Sequence, residues 1–286
     1  MSPPIIASLA ATWLIWGSTY LAIQWALVSF PPFWQIGVRF VIAGSLLMAF
    51  MRLRGAPWPN GREWRNALII GTLLLASGIG GTAYAETTVQ SGLIVTFIAI
   101  MPAIIALLNL AFGLRPAPME AVGIAVGIGG VFLLTRGAAF SASPGGLLAI
   151  SIACCSWSLG SVLSQRRLPL ARGPMGYASE MLAGGLVLTV VALLHHEQPE
   201  WPPQPLALAS WIYLITFGSW LAFSAYMYLL DHASAGLAAS YTFVNPLIAM
   251  LLGVTLNHEQ VSSYEWLAVG VILVGVLLLV YGRRRT

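Results

Sequence analysis

Charge is missing from most of this chain, and the gaps between charges are about as long as a bilayer is thick. Apolar runs follow one another along the sequence, separated by short segments that hold nearly all the arginine and glutamate. A helix needs about 20 mostly apolar residues to cross a hydrocarbon core roughly 30 Å thick. Runs of that length are expected at about 5–28, 33–51, 66–85, 92–113, 119–135, 146–164, 174–194, 207–230, 234–256 and 264–281. The fifth and tenth are barely long enough to span, being bracketed by Glu120 and Arg136 and by Glu265 and Arg283.

Composition agrees: 58% of the 286 residues are hydrophobic and 8% charged, with a mean hydropathy of +0.85, where a soluble domain carries about 25% charge. Ten helices leave little chain for a soluble domain. The first apolar run follows "MSPP" with no basic segment before it and is longer than a signal-peptide core, so it is expected to stay as the first helix. Cys154 and Cys155 are adjacent, a spacing that suits small apolar packing rather than a disulfide or a metal.

All thirteen cationic residues are arginine, and eleven of them share one side if the chain crosses ten times. Arg52, Arg54, Arg62 and Arg65 follow the second helix, Arg115 the fourth, and Arg166, Arg167 and Arg172 the sixth; Arg283 to Arg285 follow the tenth. The opposite side keeps Arg136, and Arg39 lies inside the second helix. Because basic loops stay in the cytoplasm, both termini are expected there. These arginines sit in short interfacial loops rather than a basic domain, so no nucleic-acid partner is expected.

The chain is also written twice. "YAETTVQSGLIVTFIAIMP" from Tyr84 and "YLLDHASAGLAASYTFVNP" from Tyr228 share tyrosine, glycine and proline in one register, 144 residues apart. "EAVGIAVGIGGVFLL" from Glu120 matches "EWLAVGVILVGVLLL" from Glu265 at 145, and Trp16 and Gly44 match Trp157 and Gly185 at 141. Duplication explains such a slowly drifting offset. Units of five helices, an odd number, must enter the bilayer from opposite sides, which gives inverted repeats over residues 1–140 and 141–286. The expected fold is an all-α integral membrane protein of ten transmembrane helices, two inverted five-helix repeats around a central cavity.

This repeated pattern, with "ATWLIWGSTYLAIQWAL" and "PPFWQIGVRFVIAG" at its start, resembles the drug/metabolite transporter superfamily and its EamA-type exporters, and looks closest to the YddG-type amino-acid exporters. The resemblance covers nearly the whole chain. It implies export of small metabolites, often amino acids, by alternating access, with the fifth and tenth helices peripheral and the other eight around the cavity. One departure stands out: Glu259 follows the proline helix of the second half, where the first half reads "FGLRP".

Arg39 aligns with Glu180 at the 141-residue offset, so an intramembrane base has an acidic counterpart. An arginine at the centre of a lipid-exposed helix costs about 2.5–3.5 kcal/mol, so such residues face protein or water. The pair either sets the charge of the cavity, drawing the carboxylate and ammonium of a zwitterion, or snorkels to the nearer interfaces. Pro102 and Pro246 are expected to kink their helices and free the carbonyls of Ile98 and Thr242. Such a kink offers a hinge; simple bending for packing is the alternative.

Trp13, Trp16 and Tyr20 form one helical stripe, and with Tyr84, Trp157, Tyr228, Tyr241 and the amide Asn245 they are candidate cavity walls. Trp25, Trp34, Trp58, Trp64, Trp201 and Trp266 lie at helix ends and suit the interfacial belt. Gly123 and Gly127 allow close helix approach, within a monomer or in a dimer. His195, His196 and Glu197 lack a second ligand cluster, so no metal is expected.

The function expected is a secondary exporter of amino acids, neutral or aromatic, and related metabolites across a bacterial-type inner membrane. No phosphate-binding loop indicates a nucleotide cofactor. Multidrug or other metabolite efflux is the neighbouring alternative. An intramembrane enzyme would need a catalytic cluster at mid-depth and a receptor has no use for inverted repeats, so no catalytic residue is assigned. Glu86, Glu180 and Asp231 are the acids available for proton movement.

Overall fold

Proline and asparagine set where most of the helices begin. The structure, a computed structural model, describes residues 2–89, 94, 97–135, 143–257 and 263–282, and all the regular structure among them is helical. The helices are α1 (Pro3–Leu27), α2 (Pro32–Leu53), α3 (Gly61–Glu86), α4 (Phe97–Leu110), α5 (Pro118–Thr135), α6 (Pro144–Arg166), α7 (Pro174–Leu194), α8 (Pro205–His232), α9 (Tyr241–Asn257) and α10 (Ser263–Gly282). Proline stands in the first turn of α1, α2, α6, α7 and α8, where its missing N–H would have no partner anyway. Helices α2, α3, α6, α7 and α8 are each long and apolar enough to cross a membrane, and Phe97–Leu110, Pro118–Leu133 and Trp266–Leu279 are shorter apolar stretches.

Three boundaries differ from those expected. Helix α3 starts at Gly61 rather than 66, because Asn60 and Glu63 form a capping box: Asn60 accepts from the Glu63 N–H at 3.0 Å and Glu63 from the Asn60 N–H at 2.7 Å. Arg62 and Arg65 therefore ride on the first turns of a helix. Helix α4 ends at Leu110, followed by Gly113 at φ 73°. The run expected at 234–256 is divided: a single turn at Ala235–Ala238 ends before Ser240, and α9 begins at Tyr241.

Missing side chains set the closest packing. In α2 against α7, a Cβ on Gly44 would stand 2.7 Å from the Leu182 nitrogen and 2.9 Å from the Ala178 oxygen; a Cβ on Gly185 would stand 2.8 Å from the Val41 nitrogen and 2.9 Å from the Gly37 oxygen. As numbers rise along α2 they fall along α7, so the two run antiparallel. Leu182 and Ala178 lie 141 residues after Val41 and Gly37, the same spacing that separates Gly44 from Gly185. Helices α5 and α10 repeat the device: Gly130 meets Ile272 and Gly275 meets Gly127, pairs that exchange at 145 residues. Gly123 and Gly127 are thus used within the chain: a Cβ on Gly123 would stand 3.0 Å from the Gly275 oxygen.

Helices α3 and α8 widen to π-helix at Thr72–Ile79 and Leu214–Ala222, one segment in each half. A π-turn shifts every later side chain round the helix axis, so the facing of α3 and α8 beyond these points does not follow the 3.6-residue period.

The loop between α7 and α8 is tied to the start of α2. Glu197 accepts the N–H groups of Trp34 at 2.7 Å and Phe33 at 3.3 Å, and the turn before α2 receives the Glu200 N–H on the Ser29 carbonyl at 2.9 Å. A carboxylate at a helix N-terminus satisfies unpaired donors and complements the helix dipole. Glu197→Ala is expected to lower stability by about 1 kcal/mol, read as a fall in the melting temperature of the purified protein; an unchanged melt would mean the contact contributes nothing.

Candidate functional site

Four aromatic rings from four helices meet at the centre. Trp16 of α1 stands 5.9 Å from Trp157 of α6, 5.3 Å from Tyr226 of α8 and 4.7 Å from Tyr241 of α9. Tyr226 is 5.3 Å from Trp157 and 5.5 Å from Tyr241. Hydrogen bonds fix the cluster: Trp157 Nε1 donates to the Tyr226 hydroxyl at 3.0 Å, Ser161 Oγ lies 2.7 Å from that hydroxyl, and Trp16 Nε1 donates to the Gly218 carbonyl at 3.2 Å. The tryptophans separated by 141 residues in sequence are therefore neighbours in space.

Trp16, Trp157 and Tyr241 form one wall of an inner cavity of about 120 Å³. Its polar side chains include Arg39 from α2, Glu86 at the end of α3 and Asn245 from α9. Arg39 is 5% exposed; its Nε and Nη1 meet no acceptor among the described residues, and its guanidinium carbon lies 5.0 Å from the Phe40 ring centre. Asn245 is buried with no donor to its Oδ1 among the described residues. Glu86 supplies the opposite charge that acts on Arg39. Buried donors and acceptors left open in a native site call for a partner, and here a base, an acid and an amide oxygen surround one space. The volume is below the roughly 300–1,000 Å³ usual for ligand pockets.

Other residues expected at the cavity lie elsewhere. Tyr84 is 43% exposed and stacks on Phe33 at 6.0 Å; Tyr228 stacks on His232 at 4.0 Å. Both sit beyond the π-helical segments, where the register has turned. Trp13 is behind the cavity, donating to Ser240 Oγ at 3.0 Å, and the Thr242 hydroxyl donates to the Ala239 carbonyl at 2.9 Å. Ile98 lines the cavity. The side chains of Tyr20 and Pro246 lie outside the described residues, and the backbone of α9 is helical through position 246. In α4 a turn at Ile100 interrupts the helix and Pro102 opens the next segment, so the proline starts a helix there instead of bending one.

Two residues escaped the sequence reading. Tyr226 is fully buried at the middle of the ring cluster; its signal is the buried stripe Ser219, Phe223, Tyr226 and Leu230 along α8. Glu86 is legible in the sequence only as an acid available for proton movement, not as a neighbour of Arg39 in one cavity, since 47 positions separate them.

A second cavity, of about 570 Å³, opens where the loops carrying Arg115, Arg166 and Arg172 converge, and we call it the vestibule. Pro102, Asn109, Glu120, Tyr177 and Asp231 also line it. Met101 faces the inner cavity and Pro102 the vestibule, so the start of this α4 segment stands between the two. Glu180 lines neither: it is fully buried in α7, and Arg39 and Glu180 do not share a site. No cluster of metal-ligating side chains occurs among the described residues, and Glu197 is engaged with α2.

The EamA-like transporter family matches residues 4–136 and again residues 144–281. The chain is 41% identical over 281 residues to the "Uncharacterized inner membrane transporter YedA" of Escherichia coli strain K12, covering 98% of this chain and 92% of that one. An "Uncharacterized transporter" of Synechocystis sp. is 28% identical over 309 residues, covering 95% of this chain and 88% of its own length. The "Protein PecM" of Dickeya dadantii is 26% identical over 270 residues, with 93% and 88% covered. A solved crystal structure aligns over 98% of both chains with a TM-score of 0.79 at 22% identity, a likeness of fold.

Proposed function

The chain belongs to the EamA-like transporter family of the drug/metabolite transporter superfamily, and from that premise we propose that it exports small zwitterionic metabolites across the inner membrane. It is a multi-pass membrane transporter and not an enzyme. Neutral and aromatic amino acids are the substrates proposed, because the wall opposite the charged groups is aromatic. Arg39 holds the carboxylate, Asn245 Oδ1 and Glu86 receive the ammonium, and Trp16, Trp157 and Tyr241 face the side chain. The observation that carries this reading is the open donor set of Arg39 beside the open acceptor of Asn245 in an aromatic-walled space. An ammonium and a carboxylate on one small molecule satisfy both at once.

Transport proceeds by alternating access of two inverted five-helix units, ten crossings in all, with both termini in the cytoplasm. Antiparallel glycine contacts that exchange at offsets of 141 and 145 residues support this arrangement, because a local two-fold axis between the paired helices relates such contacts. The two separate family matches support the division near residue 140. The vestibule is the cytoplasmic entrance, and the start of the α4 segment at Met101 and Pro102 is the barrier between it and the inner cavity. Pro102, at the junction of the two cavities, is the hinge position of the first unit, and Pro246 its counterpart in the second.

Counterflow in proteoliposomes tests the reading. Vesicles loaded with unlabelled phenylalanine, methionine or alanine are expected to take up the labelled amino acid faster than vesicles loaded with the matching amide. Selective uptake of hydrophobic cations, with no response to amino acids, would instead identify a multidrug efflux carrier.

A further inference from the structure

Glu180 is fully buried, and neither carboxyl oxygen has a hydrogen-bond donor among the described residues. Tight packing closes off its helix: Gly184 meets Gly71 of α3, where a Cβ would lie 2.6 Å from the Gly71 oxygen, and Gly185 meets α2. An isolated carboxylate taken out of water costs several kcal/mol or more unless something neutralises it. Among the described residues no basic side chain donates to Glu180. On α7 itself, Tyr177 stands one turn earlier. From α8 come Asp231, whose charge acts on Glu180, and Tyr226; the Tyr226 hydroxyl is held by Trp157 and Ser161, and Asp231 accepts from the Tyr177 hydroxyl at 2.9 Å. From α3 the buried face presents Asn66, Ala67, Ile70 and Leu74, none ionisable. Helix α2 carries two arginines: Arg39, level with Gly185, lies more than a helical turn from Glu180 and lines the inner cavity, and Arg52, in the last turn, donates to the Ala56 carbonyl and stands over the Trp58 ring.

The counterpart position makes the contrast plain. Arg39 shares the inner cavity with the acid Glu86, whereas Glu180, 141 residues on, lies one turn from Tyr177, whose hydroxyl donates to a second acid, Asp231. Asp231 and Tyr177 line the vestibule together with Arg115, Arg166, Arg172 and Glu120, and Tyr177 lies one helical turn before Glu180, so the water-filled space comes within a turn of the buried carboxyl. A metal cation needs several oxygen ligands, and no group of three or more ligating side chains occurs among the described residues. A proton needs one oxygen.

We propose that Glu180 is a proton-binding site, loaded from the vestibule past Asp231 and Tyr177, through which this transporter couples export to proton movement. The proton on the Glu180 carboxyl comes from vestibule water and is released when the passage turns to the other side. This inference rests on the transport reading, but its first test needs no substrate. In infrared difference spectra across pH steps, the purified full-length protein is expected to give the deuterium-sensitive C=O band of a protonated carboxylic acid. That band should be lost in Glu180→Gln and kept in Glu120→Gln. If it persists in Glu180→Gln, the assignment is wrong. Should Glu180→Gln fail to fold, Asp231→Asn serves instead: it should move the pH at which the band appears, and an unmoved midpoint overturns the proposal. In proteoliposomes containing a pH-sensitive dye, a phenylalanine gradient is expected to drive proton movement in the wild type, and Glu180→Gln should lose it. Counterflow with no proton movement, or with a sodium requirement at fixed pH, refutes the coupling while leaving the export reading intact. Absence of counterflow for every amino acid, with the infrared band present, strikes the export reading alone.

Discussion

Gly185→Leu is expected to leave almost no folded protein. A leucine there places its Cβ 2.8 Å from the Val41 nitrogen, 2.9 Å from the Gly37 oxygen and 3.0 Å from the Phe40 Cβ. Two of these atoms are helix backbone and cannot rotate aside, so α2 and α7 must separate. Overpacking a tight core costs about 1–3 kcal/mol where side chains can shift, and occasionally more; a clash against backbone along this interface belongs at the upper end or beyond. The measurement is the yield of monodisperse protein on size exclusion and its melting temperature. The paired control is Gly129→Ala, where nothing lies within 4 Å of an added Cβ. That change should be neutral or stabilising by up to about 1 kcal/mol, because alanine favours a helix interior over glycine. Wild-type yield and melting for Gly185→Leu would show that the two helices do not pack as described.

Arg39→Ala is expected to abolish most transport while the protein still folds. Hydrogen bonds to charged groups contribute about 1.5–3 kcal/mol each, so losing the guanidinium should cut kcat/KM roughly ten- to a hundredfold or more. Glu86 would then face the substrate carboxylate with no base beside it, which adds to the loss. Arg39→Lys keeps the charge but not the planar fork, and an intermediate rate is expected. The readout that separates binding from structure is the ratio of transport to melting temperature across both variants. Equal loss of transport and stability in Arg39→Ala would assign the residue to the scaffold and withdraw it from the cavity.

These outcomes depend on features that the sequence exposes to different degrees. Trp16 and Trp157 were legible as candidate cavity walls because they match at one offset between the halves, and Tyr241 because it falls in a helix expected near the cavity. Gly44 and Gly185 were legible as a matched pair, though not as each other's packing neighbourhood. Tyr84 and Tyr228 misled for a local reason: they follow π-helical turns at Thr72–Ile79 and Leu214–Ala222, and a register change of that kind leaves no mark in the spacing of apolar residues. Arg39 and Glu180 aligned in sequence yet serve different surroundings: Arg39 lines the inner cavity with Glu86 of α3, and Glu180 is buried in α7 outside both cavities.

By itself the sequence determined the membrane class, the helix runs and the doubling of the chain. These follow from how many apolar residues a bilayer demands and from offsets that can be counted along one strand of text. Tertiary structure alone decided which polar groups meet: Arg39 with Glu86 and Asn245, Tyr226 with Trp157, Tyr177 with Asp231. Such meetings depend on helix rotation and on glycine contacts between distant segments. A shift of one residue per turn changes them completely while leaving hydropathy untouched.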